Sequence, residues 1–435
     1  METQEKLKIN IYPPELEISQ SGQEKIIIKI NENFTNSSNS EKIYQNLLAE
    51  NANWQPILEK YKEKLISSLD KLISASTINP NKEFHLEKTF QCHDLPISKV
   101  YFNHKGDYFL TCSYDGDAYL WNRKTGDIKY KIKNHANTIN SAVFTRDDKL
   151  LLTGSFDCLA MLFDTENGIR VKTFEGHKEE IVEINMNNEE TQFCSASMDL
   201  TSKIFDIEEG KCILTLSGHN DVVSRCSFNK ESNQVLTGSY DKTCKIFDLN
   251  NGNELFNFTE HTKEITNCYF YPNDNNIIIT TSLDGLCKIY DIRNGSQSLK
   301  TFDEHNKKEI LCSTLSSNGK YLATGGGDNI VNVYDIKEMK KIFSLSGHNK
   351  EIYSLDFTHG DEVKYLISGD GNGECRLWDV NSGECTQIIE SGEETEIIAS
   401  NFNRNNTDIL IADTDNIVRL YTNEIPVNYW LNIFI

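Results

Sequence analysis

Residues 236–249 read LTGSYDKTCKIFDL, and the same pattern is written eight times between residues 84 and 422. Each copy holds a short strand pattern, a tight turn carrying Asp, and a second strand that ends in an aromatic residue, usually followed by Asp. The terminal aromatics are Trp121, Phe163, Phe205, Phe247, Tyr290, Tyr334, Trp378 and Tyr421, spaced by 42, 42, 42, 43, 44, 44 and 43 residues. A period that regular, built from strands alone, predicts a repeat architecture rather than one sheet folded once.

About twenty-five residues ahead of each aromatic a histidine recurs: His93, His135, His177, His219, His261, His305 and His348, with Glu393 at the eighth place. Three of them stand in the pair Gly-His, at Gly176-His177, Gly218-His219 and Gly347-His348. Over residues 84–422 this resembles the WD-repeat family. The expected fold class is therefore all-β, an eight-bladed WD-repeat β-propeller, preceded by a small N-terminal α+β domain at 1–83 and followed by an apolar tail at 423–435.

Four strands are read in each repeat; in the third copy they cover 181–187, 192–197, 201–206 and 212–216. The last copy lacks its own fourth strand. Residues 84–91, FHLEKTFQ, occupy the fourth-strand position just before His93, so an N-terminal strand is expected to complete blade eight and remove an open edge. The tail EIPVNYWLNIFI is the alternative source of that strand, or docks elsewhere.

Residues 1–83 form a different unit. Segments 7–12 and 25–30 read as strands, separated by Pro13-Pro14 and a turn-prone stretch at 19–23. A polar linker, NENFTNSSNS, follows, and Ser38 three residues before Glu41 is a capping-box signal for a helix over 40–50. A second helix is expected over 54–74, where Leu58, Tyr61, Leu65, Leu69 and Leu72 repeat at helical spacing. That stripe packs on the strands or the propeller, or else receives a partner helix.

The chain has 435 residues and a formal net charge of −21. Residues 1–83 hold 12 acids and 10 bases, which leaves 53 acids against 34 bases in the remainder. An acidic body repels phosphate backbones, so nucleic acid and anionic membrane are poor partners. Membrane insertion is not expected, because no apolar run approaches the length of a span and METQEKLKIN lacks the apolar core of a signal peptide. The expectation is a cytosolic monomer. The twelve cysteines sit at strand positions such as Cys226, Cys244, Cys268, Cys287 and Cys375, without paired zinc-type spacing, and read as small buried thiols.

In the WD-repeat family a structural tetrad runs from the Gly-His histidine through a Ser/Thr of the second strand and the turn Asp to the Trp. The resemblance assigns His93, Ser113, Asp115 and Trp121 to that network in blade one. Blades two to five keep His, Ser and Asp, as in His177, Ser197 and Asp199 or His219, Ser239 and Asp241, but replace the Trp, and a Phe has no indole donor. Blade six has Gly326 at the Ser position, blade seven has Asp370 and Asn372, and blade eight lacks the His. A catalytic triad is unique in a chain, whereas this arrangement repeats, so a buried hydrogen-bond network is expected and catalysis is not. Only His85, His104 and His359 remain outside it, and Gly325-Gly326-Gly327 lacks the following Lys-Ser/Thr of a phosphate loop. No cofactor or metal is expected.

Two residue sets suggest a binding surface. After each repeat histidine an acid recurs at the start of the first strand: Glu180, Asp221, Glu264, Glu309, Glu351 and Glu396, with Thr138 the exception. A ring of like charge favours a Lys/Arg-bearing protein segment, although solvated strand ends account for it equally simply. The second set lies between the Ser and Asp of the turn: Tyr114, Phe156, Met198, Tyr240 and Leu283, then Gly327, Gly371 and Thr414. Five large side chains form an arc over blades one to five, either a partner surface or packing between blades.

The combination of Tyr12-Pro13-Pro14, a strand-rich start, two helices and eight nearly uniform repeats is similar to the family of dynein assembly factors with WD repeats. The repeated His-x-x-Glu-Ile phrase, at 261–265 and 348–352, adds to it. The resemblance implies a non-catalytic cargo adaptor that couples preassembled outer-arm dynein to intraflagellar transport complex B, in cytoplasm and cilium. Tyr12, Pro13 and Pro14 would then belong to a composite site for the transport train. The alternative is a generic WD-repeat scaffold, such as a ubiquitin-ligase substrate receptor or a reader of basic motifs.

Overall fold

A computed structural model describes residues 6–11, 14–19, 26–29, 62, 83–91, 93–392, 395–423 and 431–434. Eight four-stranded antiparallel sheets follow one another as the blades of a β-propeller, and a ninth belongs to the N-terminal region. Blade one consists of Ile97–Phe102, Tyr108–Ser113, Ala118–Asn122 and Ile128–Ile132. Blade three consists of Ile181–Met186, Gln192–Ser197, Ser202–Asp206 and Lys211–Leu216, within a residue of the sequence expectation at each end.

Burial along a blade follows the composition of its strands. The second strand is a continuous apolar or small run, buried from its second residue onward in Leu150–Ser155, Gln192–Ser197 and Gln234–Ser239. A strand covered on both faces needs no polar alternation. The fourth strand, at the outer wall, is exposed until its last residue, as in Arg170–Phe174, where only Phe174 is buried. Each core cluster draws on two adjacent blades, so the core is a ring of inter-blade layers; one of them joins Leu152, Ala160 and Phe174 to Ile181, Ile184 and Phe193.

Close blade-to-blade approach is built into small residues of the second strand. A Cβ on Gly154 would lie 2.8 Å from Ile184 Cγ2, one on Gly238 2.9 Å from Ile265 Cγ2, and one on Gly325 2.7 Å from Ile352 Cγ2. In each case the isoleucine belongs to the first strand of the next blade. The glycines are there for room rather than for an unusual backbone angle.

The ring closes through His85–Gln91, the fourth strand of the sheet Ile397–Phe402, Asp408–Asp413 and Ile417–Thr422. Arg123 of blade one straps this seam. Its guanidinium reaches Asp408 of blade eight, with Nη2 2.5 Å from Oδ1 and Nε 2.9 Å from Oδ2, and lies 2.9 Å from Glu87 of the closing strand. Asp408 is buried, and Asn403 Nδ2 donates to its Oδ2 as well, at 2.8 Å.

The chain divides into two compact units, Leu86–Tyr421 and the combination of Met1–His85 with Thr422–Ile435. Within the second of these the described strands are Lys6–Ile11, Pro14–Ser19, Ile26–Lys29 and Leu431–Phe434. The first pairs antiparallel with both Pro14–Ser19 and Leu431–Phe434, so the tail strand belongs to this sheet and not to blade eight. Pro14–Ser19 is a strand where the Pro-Pro pair predicts a connection. Its PELEIS alternation supports it, and a proline at the first strand position gives up no interior ladder bond. The helices expected over 40–50 and 54–74 lie outside the described residues.

Candidate protein-binding face

The histidine networks form the layer beneath the face. In blade one His93 Nδ1 donates to Asp115 Oδ2 at 3.0 Å, and Nε2 accepts the Thr111 hydroxyl at 2.8 Å. Trp121 Nε1 donates to the same Thr111 oxygen at 3.1 Å. The hydroxyl in the network is therefore Thr111 and not Ser113. The same correction moves the role from Ser197 to Ser195, 2.6 Å from His177 Nε2, and from Ser239 to Thr237, 2.7 Å from His219 Nε2.

Ser113, Ser197 and Ser239 do something else. Each hydroxyl donates to a backbone carbonyl just ahead of the first strand, at Pro96, Glu179 and Asp221, and accepts the N–H of the turn aspartate two residues on. They tie the turn to the strand that begins beside it.

The networks persist further round the ring than the sequence suggested. In blade six, where Gly326 takes the turn-serine place, His305 still reaches Thr324 at 2.7 Å and Asp328 at 2.9 Å. In blade seven the carboxylate has moved two residues along the chain. Asp370 lies 3.1 Å from His348 Nδ1, while Ser368 meets both His348 Nε2, at 2.6 Å, and Trp378 Nε1, at 2.8 Å. Blade eight substitutes an ion pair between Asp413 and Arg419.

Electrostatics within the networks are lopsided. Burial pushes the Asp199 and Asp241 carboxyls up, but hydrogen bonds from His177 and Thr201, and from His219 and Thr243, outweigh it and hold both below the ordinary carboxylate range. Asp157, Asp284 and Asp370 are depressed in the same way, burial again being opposed by their histidines. His348, Asp370 and Glu374 bring three ligand-type atoms within 4.8 Å of one another. Arg376 donates to Glu374 there and supplies the positive charge beside it.

Above the networks, the two residue sets meet through the backbone. The N–H of Phe156 donates to Thr138 O at 2.9 Å, Met198 to Glu180 at 2.9 Å, Leu283 to Glu264 at 3.0 Å, and Gly371 to Glu351 at 3.0 Å. Gly327 to Glu309 and Thr414 to Glu396 complete the series. Arc residue and rim acid are therefore neighbours in each of these blades. Blade four corrects one assignment: Tyr240 N donates to Val222 O, so Val222 holds the ring position and Asp221 stands one residue upstream.

With that shift the rim divides in two. Blades five to eight carry Glu264, Glu309, Glu351 and Glu396 in succession, and three of the four facing positions are Gly327, Gly371 and Thr414. Blades one to four carry Tyr114, Phe156, Met198 and Tyr240, with Glu180 the one acid at the ring position. Tyr114 is 48% exposed and Tyr240 44%, whereas Phe156, Met198 and Leu283 are half-buried. Glu309 is paired with Lys263 at 3.1 Å.

Some apolar members escaped the sequence reading. Leu95, Leu200 and Tyr353 are exposed on the same turns and strand starts. Tyr353 lies over the blade-seven glycine, its ring 3.0 Å from where a Gly371 Cβ would be. A glycine in the arc position with an aromatic on the first strand of the same blade was the available signal. Tyr12 and Pro13 lie outside the described residues, and Pro14 opens the strand Pro14–Ser19.

Eight blades, seven of them on buried histidine networks, with a rim that is apolar on one side and acidic on the other, define a repeat propeller that presents a face. Residues 199–428 match the family model of the IFT122 first beta-propeller, and residues 84–122 and 126–164 match that of the WD domain, G-beta repeat. The first match covers more than half of the chain, which belongs to this family of WD-repeat β-propellers. The chain is 32% identical over 63 residues to the dynein assembly factor with WD repeat domains 1 of Danio rerio, covering 14% of this chain and 15% of that protein. For the Homo sapiens protein of the same name the figures are 33% over 66 residues, 15% and 16%. These relatives are thus matched over about 15% of their length. A solved structure of the computationally designed Ika8 protein superposes with a TM-score of 0.67 at 24% identity, covering 76% of this chain and 97% of that one, a likeness of fold.

Proposed function

We propose that this protein is a non-catalytic adaptor that couples preassembled outer-arm dynein to intraflagellar transport complex B, acting in the cytoplasm and cilium. Binding is carried by one observation, the half-exposed aromatic rings of Tyr114 and Tyr240 on the rim, with exposed Leu95 and Leu200 on the same side. The relatives named dynein assembly factor, and the match to the IFT122 first propeller, supply the partner classes. Two-ended binding of this kind raises the effective concentration of one partner near the other without chemistry.

Deletion tests it. Outer arms should be assembled in cytoplasmic extract and missing from axonemes, and axonemes with intact outer arms would sink the proposal. A second reading, a scaffold that reads basic motifs or receives substrates for a ubiquitin ligase, is favoured by the run of Glu264, Glu309, Glu351 and Glu396. Under that reading, charge reversal at Glu351 and Glu396 abolishes partner capture while Tyr114→Ala leaves it intact.

A further inference from the structure

The third residues of the first strands in blades one to four are Lys99, Ser141, Glu183 and Arg225, each 42 apart, and all four face one cavity. Lys99, Glu183 and Arg225 line one cavity of about 500 Å³. Tyr101 and Tyr269 stand on its wall, and Tyr240 and Leu283, members of the apolar arc, line it as well. The cavity is thus continuous with the candidate face.

Two of the three charges are anchored. Glu183 Oε2 accepts the Cys226 N–H at 2.9 Å, and Oε1 lies 3.6 Å from Arg225 Nη1. Arg225 Nε donates to Thr266 O at 3.0 Å and Nη1 to Ser224 O at 3.5 Å, which leaves Nη2 without a hydrogen bond among the described residues. Lys99 Nζ has neither a hydrogen bond nor an ion pair among the described residues. Burial, and then the charge of Arg225, pull its pKa below the ordinary lysine value. Lys99 is half-buried on the cavity wall, where the Glu183 carboxylate favours its ammonium and the Arg225 guanidinium opposes it, and an anion between the two cations would relieve their repulsion.

The charge count sets the ligand. Two cations and one carboxylate leave one uncompensated positive charge, in a chain whose formal net charge is −21. General attraction for anions by the whole molecule is excluded by that sign, so any anion held here is held locally. We infer that this cavity is a binding site for a single oxyanion, a carboxylate or phosphate group, held between Lys99 Nζ and the free edge of the Arg225 guanidinium. Glu183 orients Arg225 and limits the site to low charge. The tyrosine and leucine walls toward the face accept the apolar part of whatever carries the group.

The site does not depend on the adaptor reading, and small probes test it on the full-length chain alone. Titration calorimetry and thermal melts would use inorganic phosphate and acetyl-aspartate amide, at constant ionic strength in chloride. Binding of either probe is expected, and preference for phosphate points to a free phosphorylated ligand, preference for the aspartate to an acidic side chain of a docked protein. Lys99→Met keeps the volume and removes the unpaired charge. It should fold, melt no lower than the wild type, and weaken binding at least about tenfold. Glu183→Gln should tighten binding, a change that a merely structural role of these residues would not produce. Absence of binding by either probe to the wild type, or unaltered binding in Lys99→Met, overturns the inference.

Discussion

Thr111 shows at the scale of one residue what hydrogen-bond geometry adds to a motif. Thr111 and Ser113 lie two apart on one strand and face the same side, so sequence alone offers both to His93. The distances decide: Thr111 meets His93 and Trp121, and Ser113 meets the carbonyls ahead of the first strand. Thr111→Val leaves two buried groups unpaired and is expected to cost about 2–3 kcal/mol, against about 1 kcal/mol for Ser113→Ala, by denaturant titration. Charge works at the same scale. The aspartates of the networks have depressed values in the folded state, so the stability they contribute is present above their unfolded value near 4 and is lost as pH falls below it. Asp356 has the opposite sign. Burial pushes its carboxyl up to about 7, against the hydrogen bond it accepts from Phe402 N at 2.8 Å. Between about pH 4 and 7 the folded state binds the extra proton, so stability falls as pH rises through that window. Asp356→Asn should raise the melting temperature at pH 8 and leave it nearly unchanged at pH 4, and an equal shift at both would contradict the assignment.

At the scale of the element, the blades are held by room and by one strap. Gly325 has no positive backbone angle to protect, so the penalty of a side chain there is steric. Gly325→Val would drive atoms into Ile352 and should cost about 1–3 kcal/mol, while the same change at Gly295, which has nothing within 4 Å of a Cβ, is strained only by its positive φ of 88°. Arg123→Met removes the cationic partner of the buried Asp408 at the closing seam and is expected to cost about 3 kcal/mol, recovered in large part by pairing it with Asp408→Asn. Much of this level was legible in the sequence. The aromatic period, 42 to 44 residues, is the blade period because each aromatic ends a third strand in the same register. The strand Pro14–Ser19 was not, because a Pro-Pro pair reads as a break before the PELEIS alternation is weighed. Blade six looked degraded because Gly326 stood where a serine was sought, although Thr324 kept the network whole.

At the scale of the whole molecule, the division of the rim was hidden by a single slip. Counting Asp221 with the acids suggested a nearly complete charged ring, whereas the backbone places Val222 there and leaves blades one to four largely apolar. Spacing from the histidine carries the offset, since Glu180, Glu264 and Glu351 stand three residues after theirs and Asp221 only two after His219, and the hydrogen bond from Tyr240 to Val222 fixes it. A surface with one apolar and one acidic half suits an elongated partner that spans both, better than a small basic motif alone. Affinity purification of the tagged full-length chain from ciliated cells, beside the Tyr114→Ala/Tyr240→Ala variant, tests the adaptor claim most directly. Dynein heavy and intermediate chains together with transport-complex subunits should be retained by the wild type, and the dynein chains lost from the variant at an unchanged melting temperature. Retention of ligase subunits or chromatin proteins in their place, or a variant that loses stability and keeps its partners, would contradict it.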